Sequence, residues 1–269
     1  MLVSICHVTR YKYDDTARYS VQSLRLTPPS FAGQRVLAWT IAAPGIARAT
    51  QFIDAFSNVS HLTSITGDHA EIECRAEGLV ETEDRAGIVR GLQDTVPVRV
   101  FLRETAKTEP DETIRELSAI ALRGSQIDGL HTLMHTVGER VRYEIGVTGA
   151  HTSAAEALAE GRGVCQDHAH VFIAAARAAG IPARYVNGYF LSGADELSEA
   201  HHAWAEAFVD GLGWVGFDPA NGTCPTDRYV RLATGLDAVS AAPIRGNRRG
   251  GAQEALDVLV EVQQANNQQ

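Results

Sequence analysis

Apolar and polar residues alternate with a period of two in short runs along the first 85 residues of the chain. The runs are rich in β-branched and aromatic residues, which favour extended strands. The clearest of them are LVSICHVTRYKY, VQSLRLTPP, RVLAWTIAAP and HAEIECRAEGLVET. Stretches rich in Pro, Gly, Asn and Asp separate these runs, as expected of turns. The alternation therefore predicts a small antiparallel β-sandwich over residues 1–85.

A helical period replaces the alternation after about residue 110. One segment opens with Pro and acidic residues and ends at Gly, as helices often do. A second segment runs on into an extended piece, and a third begins at Thr152 or Ser153. The expected helices lie in residues 109–124, 125–144 and 152–161.

The segment VCQDHAHVFIAAARAAG is predicted to be a central helix. Gly163 precedes it, Gly180 suits the position just after a helix end, and Pro182 follows. The segment is apolar on most of its circumference, which is typical of a buried helix. After residue 190 the pattern becomes extended again. The chain is thus of the α+β class, with four expected parts: a β-rich domain 1–85, a connection 86–109, a second domain 110–262 and a polar tail 263–269.

Composition and charge limit the kinds of molecule that this protein is expected to bind. The net charge of the 269 residues is −9, and RGNRRGG (245–251) is a short, Gly-rich basic stretch typical of a solvated loop. We therefore expect no nucleic-acid partner. No apolar run approaches the roughly 18–20 residues of a membrane span, and the first residues do not resemble a signal peptide. The sequence favours a cytoplasmic protein without a membrane partner, and it does not indicate an oligomeric state.

One of the four cysteines has a distinctive position. Cys6, Cys74, Cys165 and Cys224 are far apart and form no C-x-x-C pair, so we expect free thiols. Cys165 lies in the first turn of the apolar helix, where the helix dipole stabilises a thiolate. The glycines before it leave the sulfur accessible and allow backbone N–H groups to face a bound oxygen. The neighbouring Asp167 opposes thiolate formation, so a base must come from elsewhere.

Two histidines could supply that base. In HHAWAEAFV, a strand places His202 on one face and His201 on the other, and this pattern alone allows either. A carboxylate must orient the imidazole. Glu206 is about 13 Å from His202 along a strand that rises roughly 3.3 Å per residue, which is too far. Asp218 lies on the returning strand WVGFD and can reach the imidazole of His202.

The parity of the connecting turn decides whether Asp218 shares a face with the histidine. A two-residue loop would put Asp218 opposite Ala205, on the face away from His202. A three-residue loop, 210–212, pairs Val209 with Gly213 and puts Asp218 opposite Trp204, diagonal to His202. We therefore predict an odd-length loop or a bulge that corrects the parity.

The segments GRGVCQDHAHVFIAAARAAGIPARYVNGY, HHAWAEAFV and GWVGFDPANG together resemble the three motifs of the transglutaminase-like family, relatives of papain-type cysteine proteases. The resemblance implies a papain-like core with the nucleophile at a helix N-terminus packed on an antiparallel sheet. It implies Cys165 as nucleophile, His202 as base and Asp218 as the group that orients it. The H-x-W-x-E match selects His202 over His201. SLRLTPP and DAFSN also resemble the β-rich N-terminal domain of bacterial members.

The resemblance further implies covalent acyl transfer through a thioester on Cys165. Water as acceptor gives a peptidase or amidase, and a lysine amine gives protein-glutamine transglutamination; we favour hydrolysis of a peptide or protein substrate. The oxyanion would be bound by the N–H of Cys165 and by a side chain, for which Tyr143 is the candidate. Trp204 and Gly163 are candidates for lining the substrate pocket. Nothing in the motifs requires calcium, and we expect no cofactor.

Three alternatives stay open at this stage. The order Cys, His, Asp also resembles arylamine N-acetyltransferases, although GRGVC stands where they carry Arg-Gly-Gly-x-Cys. His131 and His135 have the i,i+4 spacing of metal-binding helices, but no Glu follows the first His as in zinc proteases, and we expect no metal. The chain could also be a binding module on an inactive enzyme fold, which a complete triad opposes.

Overall fold

The computed structural model describes residues 1–192 and 201–265, which form thirteen strands and four α-helices. The strands are β1 (Leu2–Leu24), β2 (Gln34–Ala42), β3 (Thr50–Ile53), β4 (Val59–Thr82), β5 (Ile88–Val89), β6 (Arg142–Tyr143), β7 (Arg162–Gly163), β8 (Ala183–Phe190), β9 (His202–Val209), β10 (Gly213–Phe217), β11 (Tyr229–Gly235), β12 (Ile244–Gly250) and β13 (Glu254–Gln264). The helices are α1 (Glu112–Ala121), α2 (Gln126–Arg140), α3 (Ala154–Glu160) and α4 (Cys165–Ala178). The predicted α+β class with antiparallel sheets is confirmed.

The first sheet is built on two long strands, β1 and β4, which pair antiparallel along most of their length. The pairing shifts register between Lys12 and Ala17, and residues on both sides of this shift, such as Tyr13 and Leu24, enter one core cluster. One part of this sheet therefore forms a core cluster of its own, while Val3, Val80 and Val260 pack with Tyr189 of β8 and Val230 of β11. Strands β2 and β3 extend the sheet beside β4.

The last two strands join this first sheet. β12 pairs with the second half of β1, and β13 pairs with its first half. Residues 244–262 are expected in the second domain from their order along the chain, but strand periodicity does not say which sheet a strand will join. Residues 263 and 264, expected in the polar tail, are the last of β13, and residues 266–269 lie outside the described part of the chain.

The second sheet has the order β11-β8-β9-β10-β5, and helix α4 packs against it. The alanines at 203, 205 and 207 of β9 face the same core as α4, as their small size predicted. The helix ends follow the expected signals: side chains of Asp111, Ser125 and Ser153 cap α1, α2 and α3. In the part of the chain that the structure describes, no helix is long and apolar enough to cross a membrane.

Two carboxamide side chains from the first domain, those of Gln34 and Asn58, form hydrogen bonds with β11, which is an edge strand of the second sheet. Gln34 accepts a hydrogen bond from the N–H of Arg231 at 2.7 Å and donates to its carbonyl at 2.9 Å. Asn58 makes the same pair of bonds with Thr234, both at 2.8 Å. Each side chain replaces the next strand of a ladder, so the edge of the second sheet is covered by the first domain.

Candidate active site

Cys165 is the first residue of α4, and only 9% of its surface is exposed. The first N–H groups of a helix have no acceptor within the helix, so the N–H of Cys165 is oriented outward beside its own thiol. The partial positive charge of the helix end lies beside the sulfur. The structure thus gives this cysteine the position that the sequence predicted.

Asp167 folds back over the start of the same helix. Its Oδ2 accepts hydrogen bonds from the N–H of Val164 at 2.8 Å and from the hydroxyl of Thr148 at 2.6 Å. A Cβ on Gly163 would lie 2.6 Å from that oxygen, so only glycine fits at this position. Gly163 is buried against Asp167, and its place in the substrate pocket stays a prediction. Asp167 acts as a helix cap and also tethers the loop that carries Thr148.

The hairpin of β9 and β10 has the predicted register. Val209 pairs with Gly213, which leaves the three-residue loop 210–212 and confirms the odd parity. Gly211 and Gly213 have φ of 81° and 86°, the left-handed region that favours glycine. The ladder ends with Phe217, and the next side chain, that of Asp218, lies on the face of His202.

Asp218 is fully buried and has several hydrogen-bond donors around it. Its Oδ2 lies 2.6 Å from Nε2 of His202 and accepts from the hydroxyl of Tyr229 at 2.8 Å and from the amide of Asn221 at 2.7 Å. Its Oδ1 accepts the N–H of Ala220 at 3.1 Å. Burial alone would raise the pKa of Asp218, but His202 and these donors hold it below its usual range.

His202 is placed between Asp218 and Cys165. Burial would lower the pKa of its imidazole, but the hydrogen bonds to Asp218 and Cys165, together with their charges, raise it to about 10. Because Nε2 faces the carboxylate, Nδ1 is left for the sulfur. A histidine of raised pKa, held between a buried carboxylate and a cysteine at a helix start, is the arrangement of an activated cysteine nucleophile.

Tyr143 lies beside this group. It pairs with Gly163 in the short parallel ladder of β6 and β7, two residues before the cysteine. Burial, followed by the charges of Cys165 and Asp218, raises the pKa of Tyr143, so its hydroxyl remains a hydrogen-bond donor at neutral pH. Its side chain is half exposed, with 51% of the residue accessible. The expected oxyanion candidate is therefore near the nucleophile and protonated.

Two family profiles match the chain over the regions that carry these features. The transglutaminase-like superfamily profile matches residues 118–219, and the profile of the bacterial transglutaminase-like N-terminal region matches residues 3–81. An uncharacterised protein of Mycobacterium leprae is 30% identical, in an alignment that covers 96% of this chain and 97% of the relative. The chain belongs to the transglutaminase-like superfamily.

Other proteins are similar to this transglutaminase-like chain over most of its length. An uncharacterised protein of Mycobacterium tuberculosis is 26% identical, in an alignment that covers 96% of this chain and 91% of the relative. A solved structure from Cytophaga hutchinsonii, titled a "Putative Cysteine Protease", covers 99% of this chain and 91% of its own, with a TM-score of 0.78 and 22% identity. At that identity the similarity shows a common fold.

Trp204 is buried in this transglutaminase-like core. It is 2% exposed, stacks near His202 with ring centroids 6.2 Å apart, and meets the ring of Tyr229 edge-on. A Cβ on Gly188 would collide with its ring, at 2.5 Å. The structure therefore places Trp204 beside the histidine as a packing support. Trp204 also lines a cavity together with Gln34 and Tyr229, and its role in a substrate pocket stays a prediction.

Glu206 is also structural. Its carboxylate, 1% exposed, binds Nε of Arg184 at 2.6 Å and Nε of Arg231 at 2.9 Å. Its partners are thus arginines and not His202, as the distance along the strand predicts. No local pattern marks the two arginines, which lie 22 and 25 residues away.

Two other histidines named in the sequence motifs have different partners. Nε2 of His201 lies 3.1 Å from Nδ1 of His7, in the contact between the two domains. His131 faces the sulfur of Cys224 at 3.4 Å. Within residues 1–192 and 201–265, no three His, Cys, Asp or Glu side chains are grouped as metal ligands would be.

Sequence reasoning missed the two side chains that hold Asp218, namely Asn221 and Tyr229. Asn221 could have been found, because Asp-Pro-x-Asn-Gly is a turn in which an aspartate side chain binds the following N–H groups. Tyr229 belongs to no motif, and only the return of β11 beside β8 brings it to the site.

Proposed function

We propose that this protein is a cysteine-dependent hydrolase of amide bonds in peptides or proteins. Cys165 thiolate attacks the amide carbonyl carbon, and the C–N bond breaks as His202 imidazolium gives its proton to the leaving amine. A thioester between the acyl group and Cys165 results. His202, now neutral, takes a proton from water, which attacks the thioester, releases the acid and restores the thiolate.

The observation that carries this proposal is the position of His202. Its Nε2 is fixed at 2.6 Å from a fully buried Asp218 while its other side meets Cys165. Two further proposals follow from the same geometry. The oxyanion is stabilised by the N–H of Cys165 and the hydroxyl of Tyr143, and the acyl group approaches from the half-exposed side of Tyr143.

Water is proposed as the acyl acceptor, since it needs no further binding site. Protein-glutamine transglutamination would need a lysine chain seated beside the thioester. We also infer a reducing compartment, the cytoplasm, because all four cysteines are free thiols and Cys165 must stay reduced.

Trapping the acyl-enzyme tests the proposal. The full chain is incubated with a peptide library, quenched in acid and digested, and the peptide containing Cys165 is examined by mass spectrometry for an added acyl mass. Wild type should carry it and Cys165→Ala should form no product. Cys224→Ala is the matched control, since Cys224 also faces a histidine at 3.4 Å, and it should behave as wild type. Activity retained by Cys165→Ala would refute the assignment.

The choice of acceptor is measured in the same reaction. A primary amine is added at increasing concentration, and acid and amide products are quantified. Hydrolysis predicts that acid dominates at every concentration. Amide as the main product at low amine concentration would establish transamidation instead.

A further inference from the structure

His168 lies one helical turn after Cys165 in α4, and 1% of it is exposed. Its Nδ1 is 2.8 Å from the carbonyl oxygen of Val164, and its Nε2 is 2.6 Å from that of Val141. A carbonyl oxygen can only accept a hydrogen bond. Both ring nitrogens must therefore donate, and an imidazole carries two N–H groups only in its positively charged form.

A neutral ring does not satisfy this geometry. One nitrogen lone pair would face a carbonyl oxygen at hydrogen-bond distance with no proton between them, and that ring nitrogen would be buried without a hydrogen-bond partner. The oxygen of Val164 cannot turn away, because it also accepts the N–H of Asp167 at 2.9 Å and of His168 itself at 3.2 Å. The helix start thus fixes the acceptor that Nδ1 meets.

We propose that His168 is held as an imidazolium by the carbonyls of Val141 and Val164, and that its charge stabilises the thiolate of Cys165. His168 is a positioning residue, since it acts through the cysteine. Its effect on the thiolate of Cys165 rests on the proposed function. Residues three apart on a helix have Cβ atoms about 5–6 Å apart, so the two charges lie within one turn. The same bonds tie the residue before the nucleophile to the segment that leads into Tyr143.

The surroundings can hold such a cation. Tyr143 of β6 faces the ring with centroids 6.1 Å apart. Asp167 of α4 carries a buried Oδ1 that has no partner among the described residues, which adds negative charge to the same turn. Together with the thiolate, this carboxylate offsets the burial of the imidazolium.

The size of the effect follows from Coulomb's law. Unit charges about 7 Å apart, at an effective dielectric constant of about 20 or somewhat higher, interact strongly enough to move a titration midpoint by about one pH unit or more. Removing the charge should therefore raise the midpoint pH of Cys165 alkylation by about one unit. Below the midpoint, the alkylation rate should fall by about tenfold.

The charge itself is measured by NMR on the full chain labelled with 15N-histidine at pH 7.5. His168→Gln assigns the signals by their loss. Both ring nitrogens of His168 should resonate at the protonated position. One nitrogen at the unprotonated position would overturn the proposal. This readout does not depend on catalytic turnover. If His168→Gln does not fold, the His168 ring signals are assigned in the wild-type protein through their correlations to the His168 backbone.

The effect on the nucleophile is measured by iodoacetamide alkylation against pH, with Cys165 followed by mass spectrometry. The matched control is His170→Gln, in the same helix: His170 is fully buried, but its Nε2 accepts the N–H of Ala238 at 3.1 Å. We expect the midpoint to rise in His168→Gln and to stay in His170→Gln. Equal midpoints in all three proteins would overturn the electrostatic role. If Cys165 does not react in any of them, the proposed function fails, and the NMR result still decides the charge.

Discussion

Replacing Glu206 by Gln should destabilise the fold strongly and leave the catalytic geometry in place. The carboxylate is shared by Arg184, which is fully buried, and Arg231, whose side chain is 7% exposed. Arg184 retains a second partner, Asp94, at 2.8 Å, but Arg231 has no other carboxylate partner among the described residues. The variant therefore leaves one buried guanidinium without an anion.

The magnitude follows from that loss. Breaking one side of a buried ion pair destabilises a protein by about 3–5 kcal/mol. For a chain of this length, a loss of 1 kcal/mol lowers Tm by roughly 2–4 °C, so we expect Tm to fall by about 10 °C. The amount of acyl-enzyme formed, measured at a temperature where the variant is still folded, should stay near the wild-type value.

Thermal and urea unfolding at pH 7 measure the change. Glu81→Gln is the matched control: its pair with Arg35 spans 2.7 Å, but the two side chains are 49% and 66% exposed, so the loss should be under about 1 kcal/mol. A Glu206→Gln protein with unchanged Tm and lost acyl-enzyme formation would refute the reasoning and indicate a catalytic role for Glu206.

The contribution of Glu206 to the stability of the fold depends on pH. Burial would raise the pKa of Glu206, but the two guanidinium groups hold it below its ordinary value. Its contribution is present above the unfolded pKa of about 4.3 and is lost as pH falls through the lower folded pKa. The stability difference between wild type and Glu206→Gln should therefore shrink in acid.

Three further predictions concern the site and its support. Tyr229→Phe removes one hydrogen bond to the Asp218 carboxylate and should lower kcat/KM by about tenfold, less than Asp218→Asn, in steady-state assays; equal losses would contradict this. Because the pKa of His202 is raised to about 10, amide turnover should fall as pH rises through about 10; a fall near pH 6.5 would show an ordinary histidine. Gln34→Ala leaves a buried N–H of β11 without its acceptor and should cost about 1–3 kcal/mol in urea unfolding. Gln51→Ala, at an exposed position of β3, is its control and should change stability by no more than about 0.5 kcal/mol.

The positions of Cys165, His202 and Asp218 were predictable because short-range rules place them. A helix start positions Cys165. The period of two along β9 puts His201 and His202 on opposite faces, and the H-x-W-x-E resemblance selects His202. The number of residues in the loop, odd or even, then decides on which face of the sheet Asp218 lies. The observed pairing of Val209 with Gly213 gives the predicted odd number. Each of these steps depends on residues close together in the chain, so sequence patterns contain the necessary information.

Contacts between distant segments were not predictable in the same way. The sequence does not tell whether Trp204 lines a pocket or lies in the core, and its contacts with Gly188 and Tyr229 come from neighbouring strands that no local pattern specifies. The two arginines that hold Glu206 lie on strands β8 and β11, at positions that no local pattern marks. Likewise, β13 alternates like any strand, and its place beside β1 depends on tertiary pairing.

These distant contacts connect the first domain to the triad. Gln34 binds both backbone groups of Arg231 in β11, and two residues earlier the same strand carries Tyr229, whose hydroxyl binds Asp218 at 2.8 Å. A displacement of the β11 edge would therefore move a donor of the carboxylate that orients His202. Since the edge is held by side chains from the first domain, that domain is part of the scaffold of the active site, and its removal should disturb the triad even though it supplies none of the three residues.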